Sequence, residues 1–254
     1  MMKIGIIGGS GLDDPRLMEV SKEIDVKTKY GRPSCKIKTG RINGVDVAML
    51  SRHGRYHQIP PTQVNNRANI MALKEIGVTH ILATSAVGSL REEIGMGHFV
   101  FVDQFIDFTK HRISTFHDSF SNGMKHELMA EPFDSFLRKR MIENSIELGY
   151  ITHNNGTVIT IEGPRFSTKA ESVMFRLMNA DVINMSTAPE VALAKEAGIP
   201  YALVGICTDY DSWKEDTDVV KLEDVLKVFN DNVDKIRTLL ISTISSLTPV
   251  TNFP

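Results

Sequence analysis

Short apolar runs rich in β-branched residues alternate along the chain with longer segments in which apolar residues recur at helical spacing. Runs this short and this apolar are typical of strands covered on both faces of a sheet. We predict strands over Lys3 to Ile7, Val45 to Leu50, Ile81 to Ala86, Phe99 to Val102, Val158 to Ile161, Val182 to Asn184 and Tyr201 to Ile206. The alternation predicts an α/β fold, a single domain over 1–254 with a mixed, mostly parallel sheet flanked by helices.

The segments between the strands carry residues that begin and end helices. Thr and Asp cap helix N-termini, proline fits the first turn, and glycine follows the last turn. We predict a helix over 63–76 capped by Thr62, one ending at Leu148 and capped by Asp134, one starting near Thr168, and one opened by Pro189 and ending at Gly198.

A last helix is predicted over Leu222 to Leu247. Its apolar stripe of Leu222, Val225, Leu226 and Phe229 indicates packing across the sheet, and the first turn could also border a pocket. The segment Thr109 to Lys125 is polar and has no clear periodicity, so we expect a long loop there. Long loops in compact domains often carry function.

The composition gives no reason to expect a polyanionic partner. The 254 residues include 29 Lys and Arg against 31 Asp and Glu, a formal net charge of −2, so neither nucleic acid nor an anionic membrane is expected. Cys35 and Cys207 lie far apart in sequence and are expected to be reduced packing residues. Because the chain shows no secretion signal and no apolar run of about 18 residues, we expect it to be cytoplasmic.

Three predicted strands end in turns that could hold an anion, and ligands of open α/β sheets bind outside the carboxyl ends of the strands. Gly8-Gly9-Ser10-Gly11 lets backbone N–H groups converge and adds a hydroxyl, but its glycines miss the dinucleotide pattern. Ser51 to His57 presents the guanidinium of Arg52 and the ring of His53 as phosphate donors. Thr84 to Leu90 is rich in hydroxyl groups.

Plainer explanations for these turns stay open. Taken alone, the glycine turn is also explained by a simple reversal of the chain, since glycine is the commonest turn residue. The loop after Leu50 could be a solvated basic loop, or a metal site at His53 and His57, although no acid or thiolate accompanies that pair. We expect no metal and no cofactor.

Two acids follow the last predicted strand, in Asp209-Tyr210-Asp211. A buried strand that ends in paired carboxyl groups delivers them to a pocket mouth, where burial can raise a carboxyl pKa enough for proton donation. The alternative is that both acids only cap the next segment. Phe166, after another strand, could stack on a planar heterocycle or fill the core, and Met185 precedes the hydroxyl of Ser186.

Blocks of sequence in this order resemble the trimeric purine nucleoside phosphorylases. The similarity runs from Lys3 to about Lys214. It lies in Gly8-Gly9-Ser10-Gly11-Leu12, Arg52-His53-Gly54-Arg55, Ala68-Asn69-Ile70, Gly88-Ser89-Leu90-Arg91-Glu92-Glu93, Asp103-Gln104-Phe105-Ile106-Asp107, Met129-Ala130-Glu131-Pro132-Phe133, Glu162-Gly163-Pro164-Arg165-Phe166-Ser167 and Asp209-Tyr210-Asp211.

The resemblance implies a homotrimer, a sheet that closes partly into a barrel, and cleavage of a purine nucleoside with inorganic phosphate as co-substrate. The implied phosphate-binding residues are Ser10, Arg52, His53, Ser85, Ala86 and Ser186. Met185 would lie against the sugar and Phe166 against the base, while His126 would reach the 5′-substituent in a neighbouring subunit. The positions tied to the choice of substrate are Ser167, Leu222 and Val225.

The two acids favour a 6-aminopurine. Relatives that cleave 6-oxopurines carry Asn where Asp209 stands, whereas an ionised carboxyl accepts from an amino group and a protonated one donates to N7. Asp209 is therefore the expected catalytic acid, with Asp211 on the 6-amino group. Leu222 replaces a smaller Val of the family, which leaves open a methylthio or a hydroxyl group at the 5′ position. A phosphorylase preferring adenosine or inosine, a nucleoside hydrolase and a nucleoside-binding protein are the alternatives.

Overall fold

The computed structural model describes residues 2–9, 18–19, 22–121, 123–215 and 222–247, the side chain of Leu222 excepted. Within them the strands are β1 (Lys3–Gly8), β2 (Lys22–Ile24), β3 (Ile37–Ile42), β4 (Val45–Ser51), β5 (His80–Ser89), β6 (Phe99–Phe101), β7 (Gln104–Phe108), β8 (Thr152–His153), β9 (Thr157–Ile161), β10 (Val182–Asn184) and β11 (Tyr201–Asp209). The α-helices are α1 (Asn66–Glu75), α2 (Ser135–Glu147), α3 (Lys169–Leu177), α4 (Thr187–Glu196) and α5 (Leu222–Leu247).

These strands join one mixed sheet that branches at β5. Strand β5 pairs in parallel with β1 and β11 and antiparallel with β10. From β1 the sheet continues through β4, β3 and β2, and from β10 through β9 and β7, while β11 carries β6 and β8. The predicted α/β fold with a mixed sheet and flanking helices is confirmed. Strand pairing among the described residues leaves the sheet open, so hydrogen bonds do not close it into a barrel.

The apolar strands separate two layers of core. Successive residues of a strand point to opposite faces, so Ile6 and Leu82 pack with α2 and α5, whereas Ile7 and Ala83 pack with α1 and α4. This two-sided burial explains why the central strands read as continuous apolar runs. None of the helices that the structure describes has the length and apolar character needed to cross a membrane.

Two of the predicted helix caps are confirmed. The Asp134 side chain accepts from the backbone of Leu137 at 2.8 Å, and α2 begins directly after it. Thr168 forms a capping box with Glu171 at the start of α3. Helix α5 spans the predicted residues.

The other two predicted helices are present, but each begins a few residues from the predicted start. Thr62 lies in a short 3-10 turn, and α1 is capped instead by Asn65, which accepts from Ala68 at 3.0 Å. Helix α4 begins two residues before Pro189, which therefore sits in the first turn, where a missing N–H is tolerated.

The segment predicted as a long loop is a loop wherever the structure describes it. Residues 109–121 and 123–125 form neither helix nor strand, as expected for a loop.

No disulfide joins Cys35 and Cys207. Burial raises the pKa of the Cys207 thiol to about 12, so this side chain stays protonated.

Candidate active site

One cavity of about 480 Å³ lies among the carboxyl-terminal parts of β4, β5, β10 and β11. Arg52 and His53 line it, and so do Asp209 and Asp211. This volume is within the range of pockets that hold a small molecule. The residues expected to bind an anion and the residues expected to donate a proton therefore open onto the same space.

Most of the predicted site residues line this cavity. They are Arg52, His53, Ser85, Ala86, Phe166, Met185, Ser186, Asp209, Asp211 and Val225. Ser10 lies outside the described residues, although Gly9 before it contributes to the lining. Leu222 begins α5, but its side chain lies outside the described part of the chain.

Two predicted residues are not in the cavity wall. Ser167 is buried next to it, and its carbonyl accepts from the hydroxyl of Ser212 at 2.8 Å. His126 is exposed and packs edge-on against Phe120, with ring centroids 5.4 Å apart. The structure thus leaves His126 outside the cavity of its own chain.

A buried ion pair fixes Arg52. Its Nε and Nη2 donate to the two carboxylate oxygens of Glu190 at 2.7 and 2.8 Å, and its Nη1 donates to the Thr84 carbonyl at 3.0 Å. The hydroxyl of Tyr201 donates to Glu190 at 2.6 Å. Burial would lower the pKa of Arg52, but the Glu190 carboxylate outweighs it and holds the pKa above its ordinary value. Arg52 therefore stays charged, and Glu190 neutralises that charge locally.

The ion pair also determines which edge of Arg52 faces a ligand. A guanidinium has five N–H donors, and three of them have acceptors within the described residues. One hydrogen on Nη1 and one on Nη2 remain for an anion. The Nε edge, which sequence alone would leave available, is occupied by Glu190.

His53 is held as a neutral ring. Its Nδ1 lies 3.0 Å from the Ile59 carbonyl, which can only accept, so Nδ1 carries the proton. Burial and the nearby charge of Arg52 lower the pKa of His53 to about 4. Its ring stacks on His57, with centroids 4.8 Å apart. At neutral pH Nε2 is therefore an acceptor, and donation from it to phosphate requires protonation of the ring.

A hydrogen-bonded group of side chains fixes the hydroxyls that the sequence predicts to bind an anion. The Asn184 amide donates to Ser85 at 3.2 Å and to Thr187 at 2.6 Å, and its oxygen accepts from Thr160 at 3.0 Å. The hydroxyls of Ser85 and Ser186 lie 3.4 Å apart. Ser186 also precedes α4, whose dipole favours negative charge at that end.

A bulge in β11 aims Asp209 into the cavity. Cys207 pairs with Val87 and Asp209 with Gly88, so Thr208 is an extra residue in the ladder. The Asp209 carboxylate accepts from the Thr208 hydroxyl and from the Asp211 backbone, both at 2.8 Å. Burial raises its pKa above the ordinary value, and those two hydrogen bonds offset only part of the effect. The direction of the shift is the one that a general acid requires.

Asp211 presents a buried carboxylate oxygen, Oδ2, that makes no hydrogen bond within the part of the chain that the structure describes. The Asp211 backbone has a positive φ of 47°, and the residue is only 5% exposed. Burial raises its pKa, although the nearby hydroxyls of Ser172 and Ser167 oppose the shift. Among the described residues, neither hydroxyl nor Oδ2 of Asp211 completes a hydrogen bond. An unpaired buried oxygen is unfavourable, so this position favours a ligand that brings an N–H donor.

Met185 and Phe166 supply the apolar walls between these polar groups. Gly163, at a φ of +65°, lies so near Met185 that a Cβ would come 2.4 Å from Sδ. Phe166 is 38% exposed and lines the cavity. Val225, Leu226 and Phe229 of α5 line it too, as the stripe on this helix allowed.

Glu190 and Asn184 are the functional residues that sequence reasoning missed. Glu190 looks like an ordinary first-turn acid of α4, but it is 0% exposed. A signal was available, because apolar residues surround it in Thr187–Glu196, and a helix that is apolar all round is buried. A charge inside such a helix requires a partner.

Comparison with known proteins gives relatives over nearly the whole chain. The model of the phosphorylase superfamily matches residues 3–245. Proteins named S-methyl-5′-thioadenosine phosphorylase from Danio rerio and Xenopus tropicalis are 52% and 54% identical, over 97% of this chain and 89% of each relative. The protein of that name from Pyrococcus horikoshii is 51% identical over 94% of this chain and 91% of its own length.

Solved structures show the same similarity. Methylthioadenosine phosphorylase from Schistosoma mansoni in complex with adenine has a TM-score of 0.92 and 40% identity, over 97% of this chain and 92% of that one. A mutant of the Schistosoma adenosine/methylthioadenosine phosphorylase in complex with methylthioadenosine has a TM-score of 0.89 and 39% identity, with the same coverage.

Proposed function

This chain belongs to the phosphorylase superfamily, and we propose that it cleaves S-methyl-5′-thioadenosine with inorganic phosphate, giving adenine and 5-methylthioribose 1-phosphate. Relatives of that name are about half identical to it over almost their full length. Both products are reusable, which suits a salvage enzyme for purines and methionine.

The shared cavity is the observation that carries the proposal. Phosphorolysis needs a nucleophilic anion on one side of the sugar and a proton donor at the base on the other. Arg52 offers guanidinium donors and Ser85 and Ser186 offer hydroxyls for the anion, although the Ser85 hydroxyl donates to the Ala86 carbonyl at 2.9 Å and must turn to reach it. Asp209 and Asp211 offer carboxyl groups for the base, and all five residues line one cavity. Met185 and Phe166 separate these groups with apolar surface suited to a sugar and a purine.

The reaction starts with lengthening of the bond between C1′ and N9 of the purine. The electron pair of that bond moves into the base, and the protonated carboxyl of Asp209 donates its proton to N7, so that adenine leaves neutral. A phosphate oxygen then forms the new bond to C1′, and solvent reprotonates Asp209. Phosphate held near the sugar stabilises the positive charge that develops on it. The steps are assigned to these side chains and to phosphate, so the proposed reaction uses no cofactor or metal.

The acidic residues favour adenine over hypoxanthine. Oδ2 of Asp211 lacks a hydrogen bond within the described residues and can accept from the 6-amino group. A 6-oxo group would instead place an oxygen against that carboxyl. Sites built for a hydrogen-bond donor strongly reject ligands that lack it.

We propose a homotrimer in which His126 reaches the active site of a neighbouring subunit. The support is an apolar surface in and beside the long loop, where Ile113, Phe120, Met124 and Leu128 are 54, 49, 73 and 83% exposed. Exposed apolar surface of this kind marks contacts with other chains. Light scattering should give about three times the 28.3 kDa mass of the chain, and a monomeric mass would contradict the trimer.

Product analysis tests the proposed activity. Adenine release from S-methyl-5′-thioadenosine should require phosphate and yield one sugar phosphate per base. Inosine should be cleaved about 10²-fold more slowly or worse. Adenine release that continues unchanged without phosphate would identify a hydrolase, equal rates on inosine would identify a purine nucleoside phosphorylase of broader preference, and binding without base release would identify a binding protein.

A further inference from the structure

Arg112 is a buried charge in the long loop that the reaction described above does not use. Its side chain is 3% exposed, and it belongs to a segment with neither helix nor strand. Burying a guanidinium is unfavourable unless its donors find acceptors. What this side chain binds therefore indicates what it holds in place.

Arg112 binds the backbone at the ends of two strands. Its Nη1 donates to the carbonyl of Met185, and its Nη2 donates to the carbonyls of Glu162 and, at 3.4 Å, Ile161. Its Nε lies 3.5 Å from a carboxylate oxygen of Glu162. The guanidinium therefore joins the end of β9 to the residue that follows β10.

Glu162 completes the connection to the loop. Its other carboxylate oxygen accepts from the backbone N–H groups of Lys110 and His111 at 2.6 and 3.2 Å. The loop thus holds Glu162 through the backbone of Lys110 and His111, and Arg112, the next residue, holds the carbonyl of Met185. We call Arg112 and Glu162 the strand-end clasp.

The clasp lies where the sheet stops holding β9 and β10 together. Their ladder ends at the pair Asn184 and Thr160. Past that pair the chain continues to Met185 on one side and to Pro164 and Phe166 on the other, all of which line the cavity. Arg112 supplies the hydrogen bonds between the two strand ends that the ladder no longer provides.

We propose that Arg112 is a positioning residue for the nucleoside, and that it acts by holding Met185 and the turn to Phe166 at a fixed separation. The inference rests on the proposed function. Arg112 is not in the cavity wall that the described residues form, so it acts through the residues it holds. Its replacement should weaken the binding of sugar and base and leave the phosphate donor Arg52, which Glu190 holds, in place.

Arg112→Met tests this, because methionine keeps much of the apolar volume and removes the donors. The matched control is Arg138→Met. Arg138 donates from Nη2 to two backbone carbonyls, those of Phe101 and Asn154 at 3.2 and 2.7 Å, and these residues do not line the cavity. We expect Arg112→Met to raise the KM for the nucleoside about tenfold with the KM for phosphate within about twofold, and Arg138→Met to show no such split. An unchanged nucleoside KM, or nucleoside and phosphate KM values rising together, would overturn the proposal.

A double variant tests the route of the effect. On a Met185→Ala background, Arg112→Met should raise the nucleoside KM by less than it does in the wild-type chain, since residues that act together are not additive and only the effect through Phe166 is left. Full additivity would overturn the role given to Met185. Should Arg112→Met fail to fold, Arg112→Lys keeps the charge with fewer donors and should give an intermediate nucleoside KM; a wild-type value there would count against the proposal.

A binding measurement separates this inference from the proposed reaction. Trp213 is the single tryptophan, two residues after Asp211, so its fluorescence should report adenine binding. Weaker adenine binding by Arg112→Met than by Arg138→Met would support the clasp, whether or not turnover depends on phosphate. Turnover that does not depend on phosphate would refute the proposed reaction and leave the clasp standing. Equal adenine affinity in the two variants would refute the clasp.

Discussion

Gly88 lies directly opposite Asp209 in the sheet, and a Cβ at Gly88 would come 2.9 Å from Oδ1 of that carboxyl and 3.0 Å from Ile183. Real Cβ atoms essentially never come as close to a neighbour as 2.9 Å, and a contact of 3.0 Å is tighter than most, while neither neighbour is the end of a long flexible side chain. The missing side chain therefore provides the space in which the Asp209 carboxyl, the proposed general acid, lies. The requirement is steric, since the φ of Gly88 is not positive.

Gly88→Ala should reduce kcat/KM for the nucleoside about 10²-fold, because a displacement of about 1 Å at a reacting group has that effect. Steady-state kinetics on S-methyl-5′-thioadenosine measure it. Gly156→Ala is the control, since a Cβ there meets Val100 at 3.0 Å, at a position that does not line the cavity. Equal losses of activity in the two variants would show that crowding in general, and not displacement of Asp209, is responsible.

Asp209→Asn should lower kcat on S-methyl-5′-thioadenosine about 10²- to 10⁴-fold, the usual contribution of a general acid. Only the protonated carboxyl donates, and burial raises its pKa. Wild-type turnover should therefore fall as pH rises through that pKa, and the variant should lose this alkaline limb. A variant with the wild-type rate would remove Asp209 from the mechanism.

Glu190→Gln should raise the KM for phosphate about tenfold or more, since one partner of a buried ion pair is lost and Arg52 becomes free to move. The same change should destabilise the fold by about 3–5 kcal/mol. Tyr201→Phe removes one hydrogen bond to Glu190 and should have a smaller effect, about 1 kcal/mol. Phosphate kinetics and thermal unfolding of both variants measure the gradation; wild-type phosphate KM values in both would contradict the role given to the pair.

Phosphate binding should take up a proton at His53. Without a ligand its pKa is about 4, so the ring is neutral at pH 7 and Nε2 can only accept. A phosphate dianion favours the charged ring and raises that pKa. The charged and titratable groups around the ring are Arg52, His57 and Glu190.

Calorimetry in two buffers of different ionisation enthalpy measures this uptake. Wild-type protein should bind a proton with phosphate at pH 7, and the affinity should weaken as pH rises. His53→Asn should abolish most of the uptake. No uptake in the wild type would mean that His53 stays neutral and that the phosphate itself brings the proton.

The sequence predicted the parts of the fold that depend on local patterns. Central strands such as Tyr201–Asp209 read as apolar runs because both faces are buried, and Asp134 and Thr168 bond to N–H groups within their own helices. Strand β3, Ile37–Ile42, was missed because it carries Lys38, Thr39 and Arg41 near the sheet edge, where the apolar signal is weak. The error at Thr62 has a similar origin, since Asn65 is an equally good cap and only the path of the chain selects it.

The site could be predicted where a residue type by itself indicates the chemistry, as the guanidinium of Arg52 and the carboxyl of Asp209 do. The role of Glu190 depends on contact with Arg52, 138 residues away in sequence, and that of Arg112 on carbonyls brought to it by two strands. Every residue has a backbone carbonyl, so the sequence does not show which carbonyls a side chain will bind. Interactions of this kind become visible only in the folded chain.

One nucleoside should span the cavity between Arg52 and Asp209 if the proposed reaction is correct. A crystal structure of the protein with S-methyl-5′-thioadenosine and sulfate, an unreactive stand-in for phosphate, tests it most directly. Both ligands should occupy this single cavity, with N7 of the purine at Asp209, the 6-amino group at Asp211 and the sulfate against Arg52 on the sugar side. A purine bound away from Asp209, or a sulfate in a separate cavity, would contradict it.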